Sequence, residues 1–238
     1  MKALLASEKM GLHLGGNLMS SPIFSESSSD EINELSVIID QLRSADGCAW
    51  CAEQTHESLV RYLIEESYEL IDAIESGNRD DLLEELGDVF YQVLFHADIA
   101  RKTHGEDFDI NDVARNTSAK MRSRHPHVFG DVQAGTPDEV VAVWEQLKRE
   151  EKSDRSSTLD GVPHGMPALL LADKLLGKAD KLGVVSLDGP SPFQFGDEAE
   201  LGAALLALVA SARGQGFDAE RALRGALRGL QDDIREAE

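Results

Sequence analysis

Residues 59–94 read LVRYLIEESYELIDAIESGNRDDLLEELGDVFYQVL, and this stretch decides the fold. Apolar residues recur every three or four positions on both sides of Gly77-Asn78, which is the period of an amphipathic helix. Glycine and asparagine are typical of the break between two helices. The stretch therefore predicts helices over about 57–76 and 80–102. Two helices joined by so short a turn pack as an antiparallel hairpin.

Helical periodicity extends on both sides of this hairpin. A helix is predicted from Asp30, and a Gly/Cys turn from Asp46 to Cys51 follows it. Another helix is predicted over 109–124 and ends at His125-Pro126, because proline disfavours helix at the preceding residue. One more is predicted from Pro137 to about Glu151, with proline in its first turn. Since no alternating strand pattern longer than four residues occurs, we expect an all-α fold.

Composition limits the classes of partner. The chain has 238 residues, a formal net charge of −21 and 42% hydrophobic residues, which is enough for a packed core. A chain this negative repels nucleic-acid backbones and anionic lipid surfaces, so we expect neither a nucleic acid nor a membrane as partner. It has only two cysteines and no apolar run near the roughly 20 residues of a membrane span. A reduced, cytoplasmic protein is therefore expected.

Three parts are predicted along the chain. Residues 1–29 have no sustained period and are interpreted as a flexible leader. Residues 30–152 are predicted to form one helical domain, and 153–238 a linker with a second helical region. Two apolar stretches of this second region, 166–176 and 201–208, are predicted to pack against the core or against another subunit.

The second helical region contains a weak repeat of the first. Glu85-Leu-Gly-Asp88 returns as Glu200-Leu-Gly-Ala203, and Phe108-Asp109 returns as Phe217-Asp218. The second copy has alanine in place of the aspartate of the first. We therefore interpret it as a degenerate copy.

Two pairs of acidic residues stand out on the hairpin. Glu66 and Glu69 lie three apart on its first helix, and Glu85 and Asp88 lie three apart on its second, so each pair shares a helix face. Acidic residues on helices usually form solvated faces, but the helix phase argues otherwise here. At roughly 100° per residue, Glu66 falls inside the apolar arc of the first helix and Glu69 at its edge, whereas Glu65 lies outside. That arc contains Leu59, Tyr62, Leu63, Leu70, Ala73 and Ile74.

The second helix gives the same indication. Glu85, Asp88 and Gln92 form a narrow strip on an otherwise apolar helix. Burying an unpaired carboxylate costs several kcal/mol, and four carboxylates on one apolar seam repel one another unless a cation neutralises them. Oxygen ligands suit Mg²⁺ or Mn²⁺, which commonly act together with substrate phosphates. The pattern therefore predicts metal-dependent phosphate chemistry.

These residues also carry a resemblance to a known family. Glu65-Glu66-x-x-Glu69 followed by Glu85-x-x-Asp88 resembles the EExxE…ExxD signature of the MazG nucleotide pyrophosphohydrolases. The segment GCAWCAEQTH at 47–56 is similar to the family's GCPWDxEQTH motif, and the segment from Lys120 to Gly130 to its K…RRHPHVFG segment. The resemblance covers about 34–152. Many members carry two tandem domains, which agrees with a degenerate second copy.

The resemblance implies a MazG-like helical bundle with a catalytic domain over 30–152. It implies Mg²⁺-dependent hydrolysis of nucleoside and deoxynucleoside triphosphates to the monophosphate and pyrophosphate, for nucleotide-pool sanitation, with Mn²⁺ as the alternative ion. The implied metal ligands are Glu66, Glu69, Glu85 and Asp88. The implied catalytic residues are Glu65, which would orient the attacking water, together with Lys120 and Arg124. The implied substrate-binding residues are Trp50, Gln54, Lys120, Arg124 and Trp144.

The sequence leaves other functions and assemblies open. A related pyrophosphohydrolase acting on dUTP, dCTP or phosphoribosyl-ATP has the same helical scaffold. A regulatory helical protein that binds nucleotides without hydrolysing them is a further alternative. The apolar seams of the hairpin predict a homodimer, and a C-terminal repeat that caps the fold within one chain is the alternative to it.

The first motif departs from the family at two positions. Ala49 replaces its proline and Cys51 replaces its aspartate. The second change either loosens a contact near the base or creates an oxidisable thiol. Because no thioredoxin-like strand precedes Cys48-x-x-Cys51 and no second cysteine pair is present, the pattern favours an inert pair.

Overall fold

A computed structural model describes residues 26–163 and 165–238, with the side chains from residue 31 onward. Every secondary-structure element assigned within these ranges is an α-helix, so the predicted all-α class is confirmed. The helices are α1 (Glu26–Leu42), α2 (Ala49–Glu53), α3 (His56–Ser76), α4 (Arg79–Lys102), α5 (Ile110–Arg124), α6 (Pro126–Phe129), α7 (Pro137–Glu150), α8 (Ala168–Lys181), α9 (Glu198–Gly214) and α10 (Ala219–Ala237). Within the described ranges, no helix is both long enough and apolar enough to cross a bilayer.

The chain divides into two compact units between Asp131 and Val132, which we call unit 1 and unit 2. This division precedes α7, whereas the sequence predicts a domain boundary after residue 152. In unit 2, Lys181 on α8 donates to Glu145 on α7 at 2.6 Å, which ties α7 to the helix that follows it. Most of the predicted flexible leader lies outside the described residues, but residues 26–29 already belong to α1. The functional assignment of the parts stays a prediction.

The hairpin of unit 1 follows from its turn. Gly77 ends α3 in the left-handed conformation, with φ of +69°, which glycine adopts without steric cost. Asn78 then caps α4 by accepting a hydrogen bond from the backbone N–H of Asp80 at 3.0 Å. Both signals lie within two residues, so α3 and α4 run back along each other as predicted.

The interior of unit 1 contains charges as well as apolar side chains. Its apolar core comprises Ile39, Cys51, Leu59, Leu94, Phe95 and Ile99. Beside it, the buried Asp98 accepts from Arg43 Nε at 2.8 Å and is also paired with Arg101 and Lys102. Although burial alone would raise the pKa of Asp98, these hydrogen bonds hold it below its ordinary value. Opposite charges therefore join the end of α1 to α4.

The interior of unit 2 is apolar. It comprises Leu159, Val162, Ala168, Leu171, Leu175, Ala179, Leu227 and Ile234, from α8, α10 and the segment before α8. The prediction that 166–176 packs against a core is confirmed by Leu171 and Leu175. Helix α9 contributes no buried residue. Leu206 and Leu208 are exposed, whereas Ala204 and Leu205 are half-buried, so the predicted packing surface at 201–208 is only partly covered within the described part of the chain.

The apolar arc predicted on α3 is only partly buried. Leu59 and Ala73 are buried, but Leu63 and Ile74 are exposed, which corrects the prediction for these two side chains. α4 is the element that packs along α3, and a single helix covers only part of so wide an arc. A second apolar stripe lies beyond it, formed by the exposed side chains of Val60, Ile64, Tyr68 and Ile71.

Candidate metal and phosphate site

Three of the predicted carboxylates come together between α3 and α4. One carboxylate oxygen from each of Glu66, Glu85 and Asp88 lies within 4.8 Å of the other two. Glu66 comes from α3, and the other two lie three apart on one face of α4. All three residues are half-buried. The antiparallel hairpin thus places both helices' contributions in one cluster.

This cluster is electrostatically unfavourable without a cation. Burial raises the pKa of Glu66, and the charges of Asp88, Glu69 and Glu85 raise it further. The pKa of Glu85 is raised by burial and then by the charges of Glu69 and Asp88. In addition, Glu85 Oε2 is buried and has no hydrogen-bond partner. Mutually repelling carboxylates with an unpartnered oxygen fit a divalent cation that prefers oxygen ligands.

The other two glutamates of the predicted motif lie at the margin of this cluster. Glu69 is exposed and does not belong to the close group of three, although its charge acts on both Glu66 and Glu85. Glu65 is also exposed, as the phase of the helix predicts. The charges of both side chains act on Glu66 and raise its pKa, so both lie near the carboxylate cluster.

Gln92 follows the carboxylates on α4 and was not among the predicted site residues. It lies one turn after Asp88 on α4 and is 5% exposed, and its Oε1 is buried without a hydrogen-bond partner. A buried amide oxygen normally has a partner. Its position in the polar strip of α4 was the sequence signal that could have placed it with the carboxylates.

The two predicted phosphate contacts lie on α5. Asp109 begins this helix by accepting from the backbone N–H groups of Asn111 and Asp112. Lys120 and Arg124 follow one turn apart on the same helix face, Lys120 half-buried and Arg124 buried. Unit 1 therefore contains both the carboxylates and these cations.

Trp50 and Gln54 lie on the short α2 segment before the hairpin. Gln54 Nε2 donates to the carbonyl oxygen of Trp50 at 2.8 Å, and Ser58 donates to Gln54 Oε1 at 2.7 Å. The Trp50 ring, 49% exposed, packs edge-to-face on Tyr62 with 5.7 Å between ring centroids. Tyr62 lies one turn before Glu66 on α3. The α2 segment thus holds an accessible indole ring against α3, the helix that carries Glu66.

Arg43 holds this segment in place, and nothing in the sequence pattern singles it out. Its Nη1 donates to the carbonyl oxygen of Cys51 at 2.8 Å, while its Nε bonds the buried Asp98. Gly47 allows the chain to turn here, because a Cβ at this position would collide with the carbonyl oxygens of Gln41 and Leu42. The Arg43–Asp98 pair spans 55 residues of sequence, so local spacing gives no signal for it.

A histidine pair was also missed. His56 Nδ1 lies 2.6 Å from His96 Nδ1, and His56 Nε2 lies 2.9 Å from Glu106 Oε2. The arrangement that uses both contacts has His56 donating to Glu106 and accepting from His96. His96 Nε2 is then a buried acceptor without a partner. Burial, followed by the proximity of His56, lowers the pKa of His96.

Trp144 lies elsewhere in the chain. It belongs to α7 of unit 2, where Lys148 lies over its ring at 4.7 Å from the centroid. The other predicted site residues, from Trp50 to Arg124, all belong to unit 1. Trp144 therefore stays a prediction from the resemblance alone.

Comparisons with known proteins agree on one family. Residues 54–129 match the sequence profile of the MazG nucleotide pyrophosphohydrolase domain. The chain is 38% identical over 221 residues to the "Nucleoside triphosphate pyrophosphohydrolase/pyrophosphatase MazG" of Thermotoga maritima, an alignment that covers 86% of this chain and 84% of that protein. It is 46% identical over 201 residues to an uncharacterised 26.1 kDa protein of Streptomyces cacaoi, covering 84% of this chain and 80% of that one.

A longer relative is similar over only part of its length. The nucleoside triphosphate pyrophosphohydrolase of Mycolicibacterium smegmatis is 42% identical over 203 residues, which cover 84% of this chain but 57% of that protein. The chain thus spans little more than half the length of this mycobacterial relative. The residues matched by the domain profile include Glu66, Glu85, Asp88, Lys120 and Arg124.

Proposed function

The chain belongs to the MazG family of nucleoside triphosphate pyrophosphohydrolases, and we propose that it hydrolyses nucleoside and deoxynucleoside triphosphates to the monophosphate and pyrophosphate. The observation that carries this proposal is the half-buried cluster of Glu66, Glu85 and Asp88. Such a cluster suits a cation that binds phosphate oxygens. Removal of unwanted nucleotides from the cellular pool is the physiological role we propose.

Glu66, Glu85 and Asp88 are the residues we propose to hold a divalent ion, with Glu69 at the margin as the fourth ligand. Mg²⁺ is the proposed ion and Mn²⁺ the alternative, because all the available donors are oxygens. When bound, such an ion neutralises phosphate charge and lowers the pKa of a coordinated water. The unpartnered Glu85 Oε2 and the raised pKa values of Glu66 and Glu85 support this assignment.

The remaining candidate residues are proposed to bind and orient the substrate. Lys120 and Arg124 would balance the negative charge that develops on the departing pyrophosphate. Glu65 would orient the water that attacks the α-phosphorus. Trp50 would stack on the base, since its ring is accessible and supported by Tyr62. Gln54 would line the nucleotide pocket. A nucleotide contact by Trp144 rests on the family resemblance alone.

Pyrophosphate release from a panel of nucleotides tests this proposal. The panel contains ribo- and deoxynucleoside triphosphates, their oxidised forms, dUTP, dCTP and phosphoribosyl-ATP, each with and without Mg²⁺. We expect Mg²⁺-dependent release with the wild type and its loss in Asp88→Ala. Nucleotide binding without pyrophosphate production would contradict the proposal and favour a regulatory protein. Equal release in Asp88→Ala would contradict the ligand assignment alone.

We also propose a homodimer. The exposed stripe of Val60, Ile64, Tyr68 and Ile71 is a continuous apolar surface on α3, and such a surface usually marks an interaction site. Sedimentation at micromolar concentration is expected to give twice the monomer mass, and Ile64→Glu, in the middle of the stripe, is expected to give a monomer. A wild type that sediments as a monomer would contradict the proposal.

The proposed setting of this activity is the cytoplasm, with free nucleotides as partners. The chain has only two cysteines, too few for the disulfide framework of a secreted protein. The net charge of −21 opposes binding of a nucleic-acid polymer, whereas the cation held by the carboxylate cluster would allow a single nucleotide to bind.

A further inference from the structure

Cys48 and Cys51 lie together at the beginning of α2. Cys48 is the N-cap of this helix, and its Sγ accepts a hydrogen bond from the backbone N–H of Cys51 at 3.5 Å. Cys48 also packs against the apolar cluster that contains Cys51. Cysteines three apart at the start of a helix lie at the spacing used by Cys-x-x-Cys disulfides.

The two thiols differ in exposure and in reactivity. Cys48 is partly exposed, and the hydrogen bonds from the backbone N–H and then the thiol of Cys51 lower its pKa. Cys51 is buried, and burial followed by the hydrogen bond with Cys48 raises its pKa. The thiolate is the attacking form of cysteine. Cys48 is thus suited to attack an incoming group, and Cys51 to displace that group afterwards.

We propose that Cys48 and Cys51 form a reversible intrachain disulfide by exchange with a low-molecular-weight disulfide. The sequence pattern alone favours an inert pair, but the structure adds the hydrogen bond from the Cys51 backbone N–H to Cys48 Sγ and the unequal exposure of the two thiols. Nothing in this proposal depends on the nucleotide chemistry proposed above.

The exchange has two steps. The Cys48 thiolate attacks one sulfur of the small disulfide, forms a mixed disulfide and releases one small thiolate. Cys51 then gives up its proton and attacks the Cys48 sulfur, which forms the intrachain bond and releases the second small thiolate. Two cysteine thiols are oxidised to one disulfide, and the small disulfide is reduced to two thiols.

The new bond would act on the segment that carries Trp50. This residue lies between the two cysteines, and the Cys51 carbonyl oxygen is fixed by Arg43. Drawing the Cys48 sulfur onto Cys51 changes the backbone around Trp50 and therefore its packing on Tyr62. A change in nucleotide handling would follow only if the proposed function holds, because that function assigns Trp50 to the base.

The test exposes the whole 238-residue chain to oxidised glutathione and follows its intact mass. The wild type is expected to lose two hydrogens, to carry no glutathione at the end, and to recover its original mass with dithiothreitol. Cys51→Ser is expected to retain one glutathione, because its mixed disulfide cannot be displaced. Cys48→Ser, which keeps only the buried thiol, is expected to react at least about tenfold more slowly than Cys51→Ser.

Three outcomes would overturn the proposal: a wild type that keeps both thiols, one that retains glutathione as Cys51→Ser does, or one whose disulfide links two chains. Fluorescence in a Trp144→Phe background gives an independent readout, since Trp50 is then the only tryptophan. We expect its emission to change on oxidation in this background and to stay constant when Cys48→Ser is added. Disulfide formation in a protein that releases no pyrophosphate would support this proposal and contradict the proposed function.

Discussion

The helix pairs α4–α5 and α9–α10 share a sequence repeat, but they differ in the burial of the glutamate that the repeat has in common. In each pair the second helix follows a Phe-Asp dipeptide, and its aspartate, Asp109 or Asp218, caps that helix. On the first helix of each pair, Glu85 corresponds to Glu200 in the sequence repeat. Glu85 is half-buried with an unpartnered oxygen, whereas Glu200 is exposed and accepts from the backbone N–H of Gly196 at 2.8 Å.

The same contrast holds for the two interiors. Among the described residues, the buried side-chain atoms without a hydrogen-bond partner belong to Glu85, Gln92, His96 and His127, all in unit 1. Among the described residues of unit 2, every buried side chain is apolar. Unpartnered buried polar atoms reduce stability and are retained where they bind or react. This difference is what we expect if unit 1 contains the proposed site and unit 2 is stabilised by apolar packing.

The largest expected effects are losses in the free energy of unfolding when a buried side chain of either unit is truncated. Asp98→Ala leaves the buried Arg43 guanidinium without its main partner, which we expect to lower the free energy of unfolding by about 3–5 kcal/mol. Leu175→Ala in unit 2 creates a cavity at a fully buried position and should cost about 2–5 kcal/mol. Urea denaturation followed by Trp50 in a Trp144→Phe background reports the first change, and Trp144 in a Trp50→Phe background the second.

A double substitution shows whether unit 1 needs the charges of Arg43 and Asp98 or only the volume that their side chains fill. Arg43→Met combined with Asp98→Leu is expected to recover much of the stability lost in Asp98→Ala, since an apolar pair of similar volume replaces a buried ion pair at little cost. If the double variant is less stable than Asp98→Ala, the charges of unit 1 are indispensable to its packing. That outcome would contradict the expected recovery and show that the charge pair itself stabilises unit 1.

The repeat supplies a matched control for activity. Glu85→Gln removes one charge from the carboxylate cluster and should lower pyrophosphate release by about 10²- to 10³-fold, or about 2.7–4 kcal/mol in the activation barrier. Glu200→Gln makes the same chemical change at the corresponding exposed position and is expected to leave the rate unchanged. Equal losses in both variants would show that the effect does not arise from the carboxylate cluster.

Local signals allowed most of the fold to be predicted. The starts of α3, α4, α5 and α7 lie within one residue of their predicted positions, because Thr55, Asn78, Asp109 and Thr136 cap them through side-chain hydrogen bonds. Helix α2 was predicted only as a turn, since five residues are too few for a periodic pattern. The exposure of Leu63 and Ile74 could not be predicted, because helix phase shows which residues share a face but not how much of that face is covered.

The candidate site was predictable to a similar degree. Glu66, Glu85 and Asp88 were predicted from helix phase, because a charge inside an apolar arc conflicts with its surroundings. Glu69 satisfies the same spacing, yet its side chain lies outside the close group, because it sits at the edge of the arc. The Arg43–Asp98 and His56–His96 contacts join residues far apart in the chain, and one sequence contains no pattern that pairs them.

A smaller effect is expected on the melting temperature of the metal-free protein when Glu85 is replaced. Because the carboxylate cluster repels itself, Glu85→Gln should raise the melting temperature of the metal-free protein by a few degrees. Added Mg²⁺ should then stabilise the wild type more than the variant, since ligand binding to the folded state shifts unfolding by mass action. Scanning fluorimetry in EDTA and in Mg²⁺ measures both. A Glu85→Gln protein that melts below the wild type in EDTA would contradict the repulsion.

The smallest expected effect is a pH dependence from the histidine pair of unit 1. The pKa of His96 is lowered from its ordinary value of 6.5, so the unfolded chain binds a proton more readily than the folded one. The stabilising contribution of neutral His96 is therefore complete above pH 6.5 and is lost as the pH falls below this value towards the folded pKa. We expect the melting temperature to decline by a few degrees between about pH 7 and pH 5.

The variants His96→Asn and His104→Asn show whether the pH dependence of the melting temperature arises from His96 or from other titrating groups. Asparagine at position 96 keeps a side-chain N–H for His56 but has no group that titrates, so the decline should become shallower. His104 is exposed, and its replacement should leave the decline as in the wild type. An unchanged slope in His96→Asn would assign the pH dependence to other groups. The buried Nε2 of His96 would then belong with the packing of unit 1, and the contrast with unit 2 would narrow to the carboxylate cluster and the Arg43–Asp98 pair.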